Sequence, residues 1–228
     1  MATELRIGIV DSGHGAAQAS QVLAARRFWL ADERLQEGAT QLDSLGHGTA
    51  VLAAIAERAP AAQFCVAQVF SERWLTSPLQ IAAAIYWLME EDVALINLSL
   101  GVRQDRPLLR EACAAAQAAG ILLCAASPAR GEPVFPASYP GVLRVTGDAR
   151  CAGAQWSWLH SPQADFGAPV AALNGGLAGA SIASAVLSGH AAEYLLEQPA
   201  ASAQMLLEHL RSQAAFVGPE RREVMPDG

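Results

Sequence analysis

Three short stretches of this chain could do nucleophilic chemistry if folding brought them together. In Ile7-Gly-Ile-Val-Asp11-Ser-Gly13, an acid closes an apolar run and is followed by small turn residues. In Leu45-Gly-His47-Gly-Thr-Ala-Val51, an imidazole sits between two glycines at the mouth of an apolar helix pattern. In Gly179-Ala-Ser181-Ile-Ala-Ser-Ala, a hydroxyl stands at another glycine-bounded helix start. Taken singly, each has an ordinary explanation: a turn aspartate, a capping loop, an N-cap serine. Taken together they are the parts of an activated hydroxyl. A serine is a poor nucleophile until a base takes its proton, and an imidazole base needs a carboxylate to hold its tautomer and steady the imidazolium. A helix N-terminus beside the serine adds backbone N–H groups where an oxyanion would form.

The elements that must position these groups read as an α/β pattern. Residues 5–10, 64–70, 94–100, 121–125 and 142–146 are short, nearly continuous apolar runs, as expected of strands covered on both faces. Helical patterns lie between and after them at 48–57, 77–91, 107–119, 181–196 and 201–214. In the second of these, Ser77 can cap, Pro78 suits the first turn, and Ile81, Ile85, Leu88 and Met89 form one stripe. Strand–helix alternation predicts a mainly parallel central sheet with helices on both faces. Sites in such folds gather beyond the carboxyl ends of the strands, which is where Asp11, His47 and Ser181 fall. Residues 16–45 give no clear pattern, and 128–140 is a proline-rich loop. The expected division is one domain over 1–217, with 218–228 as a mobile tail.

Composition narrows the function classes. The chain has 228 residues, 52% of them hydrophobic and 16% charged, which suits a folded domain rather than a disordered one. Its formal net charge of -7 leaves no electrostatic footprint for nucleic acid and disfavours anionic membrane surfaces. The apolar run at 81–89 is far short of the roughly 20 residues that cross a bilayer. Cys65, Cys113, Cys124 and Cys151 are too scattered for a disulfide framework or a CxxC site, and two of them lie inside apolar runs. Free thiols and the absence of a secretory pattern near residue 1 predict a cytoplasmic protein. No metal or other cofactor is expected.

With these residues in view, the chain resembles the subtilisin-like (subtilase, S8) serine proteases. The carrying motifs are IVDSG around Asp11, GHGTAV around His47 and GASIAS around Ser181, in the Asp–His–Ser order of subtilisin. INLSLG at 96–101, FPAS at 135–138 and DFGAPV at 165–170 support it, so the likeness spans nearly all of 5–196. The resemblance implies a three-layer subtilisin-like fold and a serine endopeptidase with Asp11, His47 and Ser181 as its triad. It also implies that Ser99, Leu100 and Gly101 edge a groove and pair with an extended peptide. Ser127 and Pro128 are expected to bind substrate as well.

The pattern also breaks. Where the family usually places an oxyanion-binding asparagine after the strand at 121–125, an ungapped match puts Ala129. The Ser181 N–H would remain as one donor, with Ser127, Asn174 or Arg130 as candidate substitutes. Ala180 and Ala185 replace the threonine and proline usual beside the nucleophile. Between His47 and the strand at 64 there is little room for the calcium loop of secreted members, and no pro-segment is expected before Asp11. These features predict a narrow-specificity processing protease, for example one removing leaders from ribosomally made, modified peptides. The alternative is a pseudoprotease or peptide-binding subunit that needs a protein partner, as in a heterodimer. Transpeptidation is not separable from hydrolysis at this level. Other aromatic and basic residues have simpler expectations. His14 is read as a solvated turn residue. Trp156 and Trp158, with His160, are read as a loop that either walls a peptide pocket or packs on the body. Trp74 and Trp87 are expected in the core or an interface, and Arg26 and Arg27 in solvent.

Overall fold

A computed structural model describes residues 4–171 and 178–220. In chain order the elements are β1 (Arg6–Asp11), a 3-10 turn (Ala16–Gln21), β2 (Val22–Ala31), β3 (Arg34–Gly38), α1 (His47–Ala56) and β4 (Gln63–Gln68). They continue with α2 (Pro78–Glu90), β5 (Leu95–Leu98), α3 (Pro107–Ala118), β6 (Leu122–Ala126), β7 (Leu143–Gly147) and β8 (Ser157–Trp158). The last are β9 (Phe166–Ala168), α4 (Ala180–Glu197), α5 (Ala203–Ser212) and β10 (Phe216–Val217).

The strands form one sheet in the order β10-β8-β9-β7-β6-β5-β1-β4-β2-β3. Pairing is parallel except for the β2–β3 hairpin and the β8–β9 pair. Every strand of the middle is apolar on both faces because both faces are covered. Within β1, Ile7 and Ile9 point to a core shared with α1, α4 and α5, while Val10 points to the core under α2 and α3. Leu95 and Ile96 in β5, and Leu122 and Leu123 in β6, divide the same way. Such division leaves no polar alternation, so these strands read as continuous apolar runs.

Residues 16–45, unreadable from pattern, hold β2 and β3. Two things hid them: arginines interrupt the apolar run of β2, and β3 is an edge strand whose residues are half-buried or exposed. The strand expected over 94–100 stops at Leu98, which frees Ser99–Gly101 from the sheet. Gly218, expected to begin a mobile tail, is tied down: its N–H donates to Trp158 O at 2.8 Å and its carbonyl accepts from Arg150 Nη2 at 2.8 Å. Residues 221–228 lie outside the described residues. None of the described helices is long and apolar enough to cross a membrane.

Candidate active site

The site collects at the carboxyl ends of β1, β5 and β6, where strand order reverses: β1 continues on one side to β4 and on the other meets β5. Asp11 is the last residue of β1 and is fully buried. His47 is the first residue of α1. Its Nδ1 lies 2.7 Å from Asp11 Oδ1 and 2.9 Å from Oδ2. Asp11 Oδ1 also accepts the Ser12 N–H at 2.7 Å. With a carboxylate as the only partner of Nδ1, that nitrogen carries the proton and the Nε2 lone pair is left for chemistry.

The two glycines beside His47 have separate reasons. Gly46 has φ 69°, a left-handed conformation that lets the chain turn into α1. Gly48 packs on the turn after β1; a Cβ there would lie 2.2 Å from Gly13 O. The Gly48 N–H donates to Ser12 Oγ at 2.9 Å, so the end of β1 and the start of α1 are sewn together. Asp43 completes the joint. Its carboxylate accepts from Gly46 N at 2.9 Å, Thr49 N at 2.8 Å and Thr49 Oγ1 at 2.6 Å, capping a helix whose own N-cap glycine has no side chain to offer. Burial pushes the Asp43 pKa up, but these hydrogen bonds outweigh it and hold the carboxyl below its ordinary value. Burial likewise pulls the His47 pKa down, yet the Asp11 hydrogen bond and the charges of Asp11 and Asp43 leave it raised.

Ser181 is the second residue of α4, a helix buried along most of its length. Its N–H is among the first-turn donors that have no intrahelical acceptor. Its hydroxyl donates to Ser99 O at 3.1 Å rather than to His47. A serine stripe at 181, 184 and 188 seats the helix on β5. Ser99 Oγ donates to Ser181 O at 3.0 Å, Ser184 Oγ donates to the same carbonyl at 2.9 Å, and Ser188 Oγ donates to Asn97 Oδ1 at 3.1 Å. Asn97, fully buried in β5, donates from Nδ2 to Ser99 Oγ at 2.8 Å. The i, i+3, i+7 spacing of these serines was visible in the sequence; the part played by Asn97 was not.

His47 and Ser181 face one cleft of about 530 Å³, which Ser99, Leu100, Gly101, Ser127 and Pro128 also line. Ser127 is 4% exposed and its hydroxyl donates to Gln163 O at 2.7 Å, so that proton is already committed. Ala129 does not line the cleft. The chain bends outward after Pro128, and Ala129 and Arg130 are solvent-exposed. Asn174 lies outside the described residues. Among the described residues, no side-chain amide lines the cleft.

The aromatic expectations are partly reversed. Trp74 is not core: it is 57% exposed, lines the cleft, and sets its ring at 88° to His47 with centroids 5.1 Å apart. Phe70 backs it at 5.5 Å. Trp74 follows three polar residues and precedes the Ser77 cap, in a loop whose approach to His47 no sequence pattern announces. Trp156 and Trp158 stand away from the cleft. Trp156 Nε1 donates to Leu210 O at 2.7 Å, and Trp158 packs near His160. His14 sits with Nδ1 3.1 Å from Gly15 O and does not line the cleft. Arg27 is half-buried over Trp29 rather than solvated. Trp87 is core, at 4% exposure. All four cysteines are buried.

Comparison with known proteins follows the same lines. The model of a family described as "Subtilase family" matches residues 6–224. The thermostable alkaline protease of Halalkalibacterium halodurans is 25% identical over 93% of this chain, and the chain spans 63% of that protein's length. Among solved structures, a cold-adapted subtilisin-like serine proteinase superposes with a TM-score of 0.72 at 19% identity, covering 92% of this chain and 84% of that one. A lanthipeptide protease superposes with a TM-score of 0.70 at 17% identity, covering 92% and 80%. The three-layer architecture, helices on both faces of a mostly parallel sheet, is the subtilisin-like fold.

Proposed function

Because the chain belongs to the subtilase family, we propose that it is a serine endopeptidase working through Asp11, His47 and Ser181. One observation carries the proposal: a buried Asp11–His47 hydrogen-bonded pair at 2.7 Å shares a single cleft with the helix-start hydroxyl of Ser181. In this reading Ser181 Oγ rotates from the Ser99 carbonyl toward His47 Nε2 when a peptide fills the cleft. It attacks the scissile carbonyl as His47 takes its proton. His47 then returns the proton to the leaving amine, and the acyl-enzyme is opened by water in the reverse order. Asp11 holds the Nδ1–H throughout. The Ser181 N–H at the α4 terminus donates to the oxyanion, and a missing second donor would cost about 10²–10³ in turnover. An extended substrate lies along Ser99–Gly101, where β5 has already released the chain.

The substrate is proposed to be a dedicated peptide, such as the leader of a ribosomally made, modified peptide. Support comes from the fold shared with a lanthipeptide protease and from bulky walls at the cleft, with Trp74, Phe70, Leu75 and Leu100 narrowing what can enter. A second reading, a non-hydrolysing peptide-binding subunit dependent on a partner, is favoured by the Ser181 hydroxyl resting on Ser99 O and by a cleft lining with no amide side chain among the described residues.

Fluorophosphonate labelling followed by intact-mass measurement separates the two, because the probe needs only an activated serine. Wild type is expected to gain one adduct and Ser181→Ala none. Folded wild type that stays unlabelled overturns the endopeptidase reading for the isolated chain.

A further inference from the structure

The cleft does not end at its aromatic wall. Leu75 and Thr76 line it on one side and, on the other, a second cavity of about 590 Å³ between β2 and the segment that joins β4 to α2. This second cavity contains two cations, Arg27 and Arg73, and one acid, Glu72. Trp29 and Leu30 add apolar surface to a lining that is otherwise mostly polar.

The cations are notable for what they lack. Arg27 is half-buried and its Nε has no hydrogen-bond partner, although buried. Its guanidinium lies 4.7 Å from the Trp29 ring centroid, which fixes the plane of the fork without using its N–H groups. Neither Arg27 nor Arg73 makes an ion pair among the described residues, whereas neighbouring Arg26 is paired with Glu37 at 3.4 Å. Thr76 Oγ1, on the shared wall, is likewise buried without a partner. A buried donor left unmade is costly, so a cavity lined by an unpaired guanidinium and an unpartnered hydroxyl suits a ligand that brings acceptors. A carboxylate meets a guanidinium edge through two parallel hydrogen bonds.

We propose that this cavity is a docking subsite for acidic side chains of the peptide substrate, Asp or Glu lying to one side of the bond held at Ser181. The proposal rests on the reading of the cleft as a peptide site and adds the substrate's chemistry to it. The surrounding field sharpens the argument: with a net charge of -7 the protein as a whole repels acidic peptides. Selective capture of one must come from local cations.

The test uses binding, so that turnover is not needed. Ser181→Ala protein is titrated into two fluorescein-labelled peptides of the same length, one carrying a run of glutamates and the other glutamines at the same positions. The readout is fluorescence anisotropy at low and at physiological ionic strength. The glutamate probe is expected to bind about tenfold or more tightly than the glutamine probe, in keeping with one charge-assisted contact. Adding Arg27→Gln or Arg73→Gln should erase most of that preference. Arg110→Gln, an exposed arginine on α3 that lines neither cavity, should keep it. Arg73 is exposed, so its variant stays informative even if Arg27→Gln unfolds the protein. Equal affinity for the two probes, no binding of either, or a preference that survives both cavity variants overturns the proposal. Fluorophosphonate labelling of the Ser181 protein is scored separately. Charge-selective binding without labelling would discard the endopeptidase and keep the docking site; labelling with charge-blind binding would do the reverse.

Discussion

Replacing Gly48 by alanine tests whether the glycine pair around His47 exists to set its distance from Asp11. An added Cβ would fall 2.2 Å from Gly13 O and 2.9 Å from Gly13 N, both backbone atoms that cannot rotate away. Relief needs α1 and the turn after β1 to separate by about 0.8 Å or more, since carbon–oxygen contacts below about 3 Å are repulsive. That displacement acts along the joint that holds His47 Nδ1 at 2.7 Å from Asp11. A hydrogen bond stretched that far lies beyond useful geometry. Misplacement by about 1 Å costs on the order of 10² in rate, more if the imidazole tautomer is lost. The fluorophosphonate labelling rate should therefore fall about 10²–10³-fold in Gly48→Ala. Overpacking should cost about 1–3 kcal/mol, a loss of roughly 3–10 °C in Tm for a domain of this size. The control is Gly46→Ala. Gly46, unlike Gly48, has a positive φ, 69°, but no atom lies within 4 Å of the added Cβ, so only backbone strain is introduced. That variant should lose about 1–2 kcal/mol and keep its labelling rate within a few-fold. Gly48→Ala that folds and labels at the wild-type rate would refute the argument that this contact sets the site.

The remaining expectations concern titration and thiols. The raised His47 pKa places the acid limb of the labelling rate above the ordinary histidine value, because the base works only when neutral. Asp43→Asn removes one of the charges that raise it and should move that limb to lower pH; an unmoved limb would exclude Asp43 from the site's electrostatics. For stability the sign is opposite. A raised folded pKa means the protonated His47 stabilises the fold below its unfolded pKa, and that contribution fades as pH climbs through the folded value. Asp43 behaves in mirror image. Its lowered pKa stabilises the fold above the ordinary carboxylate range, and the gain is lost as pH falls through the folded value. The thiols should be silent in the native state. Burial pushes Cys65 and Cys151 to about 11 and Cys113 and Cys124 to about 12. A disulfide-exchange reagent at mild pH should titrate all four only after denaturation, and rapid reaction of the folded protein would contradict their burial.

The sequence by itself determined the layers and the places of the acid, the imidazole and the hydroxyl at element ends. Runs such as those of β1, β5 and β6 are apolar at successive positions, which only a sheet covered on both faces can use. The Asp, His and Ser that end a strand or open a helix are placed by that alternation alone. Local backbone demands were legible too, because a glycine before His47 and a serine before Pro78 act within their own turn. What remained hidden depended on neighbours distant in the chain. Edge strand β3 buries too little to leave a pattern. Trp74 looks like any core tryptophan until the loop after β4 lays it against His47, 27 positions earlier in the numbering. Asn97 is a polar residue inside a strand until α4 brings the Ser188 hydroxyl, 91 positions away, to donate to its Oδ1. Arg27 reads as a solvated charge until the segment before α2 closes a cavity over it. Tertiary structure also decided that Ala129 leaves the cleft and that the Ser181 hydroxyl rests on the Ser99 carbonyl. Periodicity reports what a residue does to its own element, whereas partner choice, orientation and the shape of a cavity arise only when separate elements meet.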